Sequence, residues 1–398
     1  MSSLSITPFF RFCRVKITGR FVTEGTSLAW IEIKPDQRFI PVCYLCKTKI
    51  QKVHSETHRI VRDLSLTEAK VFINLSYRKL CCPSCEGIRV EDLEFVESYV
   101  RVTRRLARYI HDLCKIMTIK DVANHLDLDW RTVKSIDKYF LEEEFSKTDY
   151  RNLHIIAIDE ISVRKGHRYL TVVLDYETGR VVWIKEERTK ETLDIFFEGM
   201  TEEERDSIEA VAMDMWRPYI DRVKHWCPKA KIVFDLFHVV KEFNKVIDTT
   251  RNTEYRKANE EEKRVIKGSK YLLLKNEENL KPEERPKLEE LLKLNENLSL
   301  VYILKDSLKE IWNHLDPVCA KDTLENWCRL AYESNLPPVI TFADKLKRHE
   351  EGILNHCYYP ISTGKLEGTN NKIKVIHRNA YGFHDLRYFI LKVKQAFS

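Results

Sequence analysis

Two C-x2-C pairs, Cys43-Tyr-Leu-Cys46 and Cys82-Pro-Ser-Cys85, constrain the N-terminal part of this chain more than any other feature. Each pair sets two thiols on one tight knuckle, and two knuckles supply the four soft ligands of a tetrahedral Zn²⁺ site. The chain has 11 cysteines, an odd number, and several others, such as Cys13, Cys114 and Cys227, stand alone. Metal ligation in a reducing compartment therefore fits the pattern better than disulfides. Residues 47–81 between the knuckles make a longer loop than zinc ribbons usually have. Within it, Cys81 can replace Cys82 at C-x3-C spacing, and His54 and His58 compete for a ligand position. Four buried cysteines without metal are the alternative.

The organisation around these knuckles is modular. Residues 12–34 alternate apolar and polar positions (Val15 and Ile17, then Ile31 and Ile33) about Gly19 and Gly25, which predicts a β-hairpin leading into the first knuckle and a zinc-binding β module over 1–95. Over 96–148 the spacing turns helical. Ile119–Leu126 reads as the first helix of a helix-turn-helix, Leu128-Asp129 as its turn, and Trp130–Ile136 as a recognition helix offering Arg131, Thr132, Lys134 and Ser135 to a major groove. The preceding helix carries Arg101, Arg104, Arg105 and Arg108, a set suited to backbone phosphates. A three-helix spacer with solvated charges is the alternative.

From Leu153 the chain gives β-branched apolar runs in quick succession, LHIIAI, RYLTVVL and RVVWI, then IEAVAM and KIVF separated by helical stretches. This predicts an α/β core with mixed strand directions over 149–240, a charge-rich helical insertion over 241–355, and final core helices over 356–398. A length of 398 residues with 43% hydrophobic content is enough for several domains. The formal net charge of +6 against 32% charged residues is too small by itself to establish a polyanionic partner. No apolar run reaches the roughly 18 residues of a membrane span and the N-terminus lacks a signal-peptide pattern, so a cytoplasmic protein is expected, without a membrane partner.

Two of the apolar runs end directly in acids: Ile155–Ile158 in Asp159-Glu160, and Ala210–Met213 in Asp214. Such strands put carboxylates at a sheet rim, where a metal stays open to solvent and substrate. The third acid chosen is Glu367, on a predicted helix whose Asn370, Asn371 and Lys374 fall on its face. Hard carboxylates hold Mg²⁺ or Mn²⁺, and two such ions can drive an in-line phosphodiester displacement by water or a 3′-hydroxyl. Glu160, Asp175 and Asp235 are lesser candidates. Asp175 is most simply a hairpin-turn residue, and Asp235 with His238 is a possible supporting pair near the same rim.

Four segments resemble the ISL3 group of bacterial insertion-sequence transposases: Asp159–Tyr169, Met213–Tyr219, Phe234–Lys241 and Ser362–Lys374. The resemblance extends over essentially the whole chain. Family members often write Ser-Asn-Gly where this chain has Ser362-Thr-Gly364. What the resemblance implies is an RNase H-like core with an Asp159, Asp214 and Glu367 triad holding two Mg²⁺ or Mn²⁺ ions, interrupted by the helical insertion. It also implies cleavage and transfer of double-stranded DNA at the element's terminal inverted repeats and at a target, by a homodimer or larger assembly on DNA in the bacterial nucleoid. A transposase-derived DNA-binding protein without catalysis, or a structure-selective nuclease of related chemistry, are the alternatives.

Overall fold

The computed structural model describes residues 10, 12–23, 27–96, 100–164, 168–361, 363–379 and 385–398. Gly25 of the first hairpin, residues 165–167 of the first acidic segment and Ser362 lie outside the described residues. The chain divides into two compact units, Met1–Glu144 and Phe145–Ser398.

In the first unit β1 (Val15–Val22), β2 (Leu28–Pro35), β3 (Val53–Arg62), β4 (Lys70–Cys82) and β5 (Gly87–Val90) form a five-stranded sheet in the order β1-β2-β4-β3, with β5 on β4. Strands β1 and β2 pair antiparallel with Ile17 opposite Ile33, as their alternation predicts. The segment between the two knuckles is not a loop. It is β3 and most of β4, paired antiparallel from Val53 opposite Leu80 to Arg62 opposite Phe72. The cause is a period of two in β4, where Val71, Ile73 and Leu75 are all fully buried. They pack with Ile31, Ile33 and Val61 in one core.

Helices α1 (Arg104–Leu113), α2 (Ile119–Leu126) and α3 (Trp130–Phe145) follow. Side chains cap their open N–H groups: Thr103 accepts from Leu106, Thr118 from Asp121, and Asp129 from Arg131 and Thr132. Helix α2 stops at Asp127, whose φ of 51° turns the chain through the left-handed region into α3. Leu106, Ile110, Val122, Val133 and Ile136 make the core of this trio.

The second unit is built on β6 (Ile155–Arg164), β7 (Arg168–Asp175), β8 (Val181–Glu186), β9 (Ala210–Met213) and β10 (Lys231–Phe234), in the order β10-β9-β6-β7-β8. Pairing is antiparallel through β6, β7 and β8 and parallel through β6, β9 and β10, the mixed directions expected from the sequence. The helices are α4 (Lys190–Glu198), α5 (Glu202–Asp206), α6 (Arg217–Trp226), α7 (Leu236–Lys257), α8 (Glu260–Ile266), α9 (Lys270–Leu274), α10 (Arg285–Leu294), α11 (Glu296–Glu310), α12 (Pro317–Glu333), α13 (Pro337–Arg348), α14 (Glu350–Leu354), α15 (Thr363–Asn379) and α16 (Leu386–Ala396).

Alternation along β6 divides the core. Ile156 and Ile158 face one layer, which includes α4, α6 and α7, whereas Ala157 and Ile161 face α15 and α16 through Leu366, Ile373, Phe389 and Val393. The helices α8 to α14 have no separate core: Leu291, Leu304, Trp327 and Phe342 join Ile156, Trp183 and Phe234 in one cluster. At that seam Gly352 lies so close to Phe234 that a Cβ would sit 2.3 Å from its ring.

Candidate functional site

The rim of the second sheet gathers acids from two strands. Asp159 and Glu160 are adjacent on β6, so their side chains leave opposite faces of the sheet. Asp159 meets α15, where the Asn370 amide donates to its Oδ2, and α7, where His238 Nε2 approaches Oδ1 at 3.9 Å. Glu160 meets Arg188, whose Nε donates to Oε1 at 2.8 Å, while Arg188 Nη2 reaches Asp214 Oδ2 at 3.3 Å. Burial, then the Asp214 charge, push the Glu160 carboxyl up to about 7. Burial also raises Asp214, against the pull of Arg188 and His238. The three carboxylates thus feel one another's charge at a part-buried edge, where Arg188 bridges Glu160 and Asp214.

Helix α15 presents Glu367, Asn371 and Lys374 to solvent and buries Leu366 and Ile373. Asn370, one turn after Glu367, is the α15 side chain on Asp159.

In the first unit the Sγ atoms of Cys43, Cys46, Cys82 and Cys85 all lie within 4.8 Å of one another, with Cys46 and Cys82 at 3.5 Å and Cys43 and Cys85 at 4.0 Å. A tetrahedron with Zn–S of about 2.3 Å needs sulfur separations of about 3.8 Å, so this cluster could hold a zinc ion. Hydrogen bonds from Thr48 lower the Cys46 thiol to about 6, whereas burial pushes Cys85 up to about 12. His54 and His58 bond to Ser55 and Ser76 on the sheet instead. Beside α1 and α3 lies a groove of about 690 Å³ whose lining includes Arg101, Arg104, Arg108, Arg131, Thr132 and Ser135.

Residues 156–393 match the DDE group of ISL3, described as transposase, and residues 91–141 match the helix-turn-helix domain of transposase family ISL3. The chain belongs to the ISL3 family of transposases. It is 38% identical over 376 residues to the transposase for insertion sequence element IS1001 of Bordetella parapertussis, covering 94% of this chain and 92% of the relative. It is 29% identical over 346 residues to the transposase for insertion sequence element IS1557 of Mycobacterium tuberculosis, covering 81% of this chain and 78% of that one.

In the transposase Asp159, Asp214 and His238 come together at one rim, and Glu160 joins them. Asp235 instead caps α7, accepting from the Phe237 N–H, and Asp175 accepts from the N–H groups of Glu177 and Thr178 in its hairpin turn. Arg105 is turned inward. Its Nε donates to Asp63 Oδ1 at 2.7 Å, and its guanidinium stacks on Phe10 and Phe12. Arg101, Arg104 and Arg131 are exposed, and Thr132 and Lys134 are half-buried. Sequence reasoning missed Arg188 and Trp216, which packs under the Arg188 guanidinium at 4.3 Å. Among the described residues no helix is long and apolar enough to cross a membrane.

Proposed function

We propose that this transposase binds the ends of its insertion sequence through the zinc module and helix-turn-helix, then cleaves and transfers DNA strands at the rim of the second sheet. The observation that carries the reading is the convergence of Asp159 and Asp214, from separate buried strands, on one part-buried edge. The strand order β10-β9-β6-β7-β8, antiparallel on one side of β6 and parallel on the other, supports an RNase H-like core. Asp159, Asp214 and Glu367 would hold two Mg²⁺ or Mn²⁺ ions; bound there, the ions supply an activated water or 3′-hydroxyl and stabilise the leaving oxygen. The face of α15 that places Asn370 on Asp159 also carries Glu367 and Lys374, the latter suited to a strand phosphate. Cys43, Cys46, Cys82 and Cys85 would hold one structural Zn²⁺.

Arg101, Arg104 and Arg131 line one groove, which supports a single duplex backbone crossing α1 and α3, with Thr132 and Lys134 toward base edges. Terminal inverted repeats and target DNA are the partners in this reading, engaged by a dimer or larger assembly.

The test uses labelled duplex carrying the element's own termini, with and without Mg²⁺, and strand-resolved products. Asp159→Asn, Asp214→Asn and Glu367→Gln are each expected to lower cleavage by several powers of ten while end binding stays near wild type. Glu160 already shares the rim with Asp214. Loss of cleavage in Glu160→Gln, with Glu367→Gln active, would reassign the third ligand to Glu160.

A further inference from the structure

Arg188 sits between β8 and α4, where Thr189 caps α4 and fixes the local backbone. One edge of its guanidinium spans two carboxylates: Nε holds Glu160 Oε1 at 2.8 Å, and Nη2 reaches Asp214 Oδ2 at 3.3 Å. The two bonds are unequal in setting as well as length. The Glu160 side chain is 9% exposed and that of Asp214 24%. Trp216 covers one face of the guanidinium, and the Arg188 side chain is 32% exposed. Its Nη1 makes no hydrogen bond to any described residue, so one corner of the fork faces outward with donors to spare.

We propose that Arg188 exchanges partners: without DNA its Nη2 holds Asp214, and with DNA that edge turns to a strand phosphate, releasing Asp214 to a divalent cation. The inference rests on the two-ion reading above. A cation on Asp214 competes with Nη2 for the same carboxylate, since two positive groups held a few ångströms apart repel each other. The planar fork matches phosphate oxygens as well as it matches carboxylates. The tighter bond to the more buried Glu160 keeps the side chain at the rim while the weaker one is broken. Metal loading is thereby coupled to the presence of substrate.

The experiment is Mn²⁺ binding to the zinc-loaded full chain, followed by electron paramagnetic resonance, with and without a duplex carrying one element end. Wild type is expected to bind Mn²⁺ at least about tenfold more tightly with DNA than without. R188Q is expected to bind Mn²⁺ without DNA as tightly as wild type does with it. At saturating Mn²⁺, R188Q should cleave pre-bound ends about a hundredfold more slowly, having lost the phosphate contact. If R188Q does not fold, R188K is read the same way, because one ammonium cannot span both carboxylates and Mn²⁺ binding without DNA should again tighten. Unchanged or weaker Mn²⁺ binding in the DNA-free variant, or equal wild-type affinity with and without DNA, overturns the exchange. D214N separates the two ideas. If it leaves Mn²⁺ binding intact, the acid site itself is misread; if it removes Mn²⁺ while the Arg188 variants change nothing, the Arg188 inference alone falls.

Discussion

Burial and the adjoining Asp214 move the Glu160 carboxyl from 4.5 up to about 7, which makes this side chain a probe of the rim. The folded chain keeps a proton there that the unfolded chain gives up at lower pH. Stability from this group is therefore present below about pH 4.5, is lost as pH rises to about 7, and stays lost above that. The loss is about 3 kcal/mol. In EDTA, the melting temperature of wild type is expected to fall through that window more steeply than that of Glu160→Gln; equal slopes would show that Glu160 ionises as freely in the fold as outside it. Arg105 offers a second residue-scale contrast. Asp63 beneath it is fully buried and also accepts from the Thr103 hydroxyl, so Arg105→Ala leaves a buried charge with too few partners. It is expected to lower the first unit's stability by about 2 to 3 kcal/mol, whereas exposed Arg101→Ala should leave the melting temperature nearly unchanged and weaken DNA binding instead. The strand-end acids were legible because an apolar run and the acid that ends it are neighbours in sequence. Arg188 was not, since its partners lie 28 and 26 residues away and nothing in Glu-Glu-Arg-Thr marks it.

Among the elements, β4 decides which cysteine joins the thiol cluster, a choice that spacing left open. Successive side chains on a strand point to opposite faces, so Cys82 turns toward Cys43, Cys46 and Cys85, and Cys81 stands opposite Ile88 of β5 outside the thiol cluster. Purified protein is expected to carry one zinc per chain, which Cys46→Ser or Cys82→Ser removes and Cys81→Ser retains; elemental analysis of the three variants checks this. Helix α2 and the start of α3 fall where the sequence placed them because these boundaries are local: Thr118 and Asp129 cap them and Asp127 turns the corner, whereas α3 runs past the expected Ile136 to Phe145. Strands β3 and β4 were hidden for the opposite reason. Their apolar residues alternate plainly, but the cysteine spacing invited a ribbon with a long loop, and the parallel pairing of β4 with β2 is a long-range fact that no window of sequence contains. Asp235 gives a smaller lesson, since an acid after a strand also looks like a ligand when its work is to cap the next helix.

At the scale of the molecule, helices α8 to α14, the insertion expected from the sequence, and the second sheet share a single apolar core, so they should melt together. Trp327 is 2% exposed in α12 and donates to the Leu304 carbonyl at 2.8 Å. Trp327→Ala, far along the chain from any rim acid, is expected to cost about 3 to 5 kcal/mol and to lower the one transition of the second unit as a whole. A separate early transition for the insertion, seen by calorimetry, would show that the two parts fold apart. The contact between Asn370 and Asp159 joins positions 211 residues apart. Closing so long a stretch of chain is entropically slow, so α15 is expected to dock after the strands it covers are already paired. Until it docks, Asp159 has lost one of its neighbours and the rim is open on that side. Folding order then acts as a timer: the rim is complete only after the last long-range docking step, when Asp159 gains Asn370.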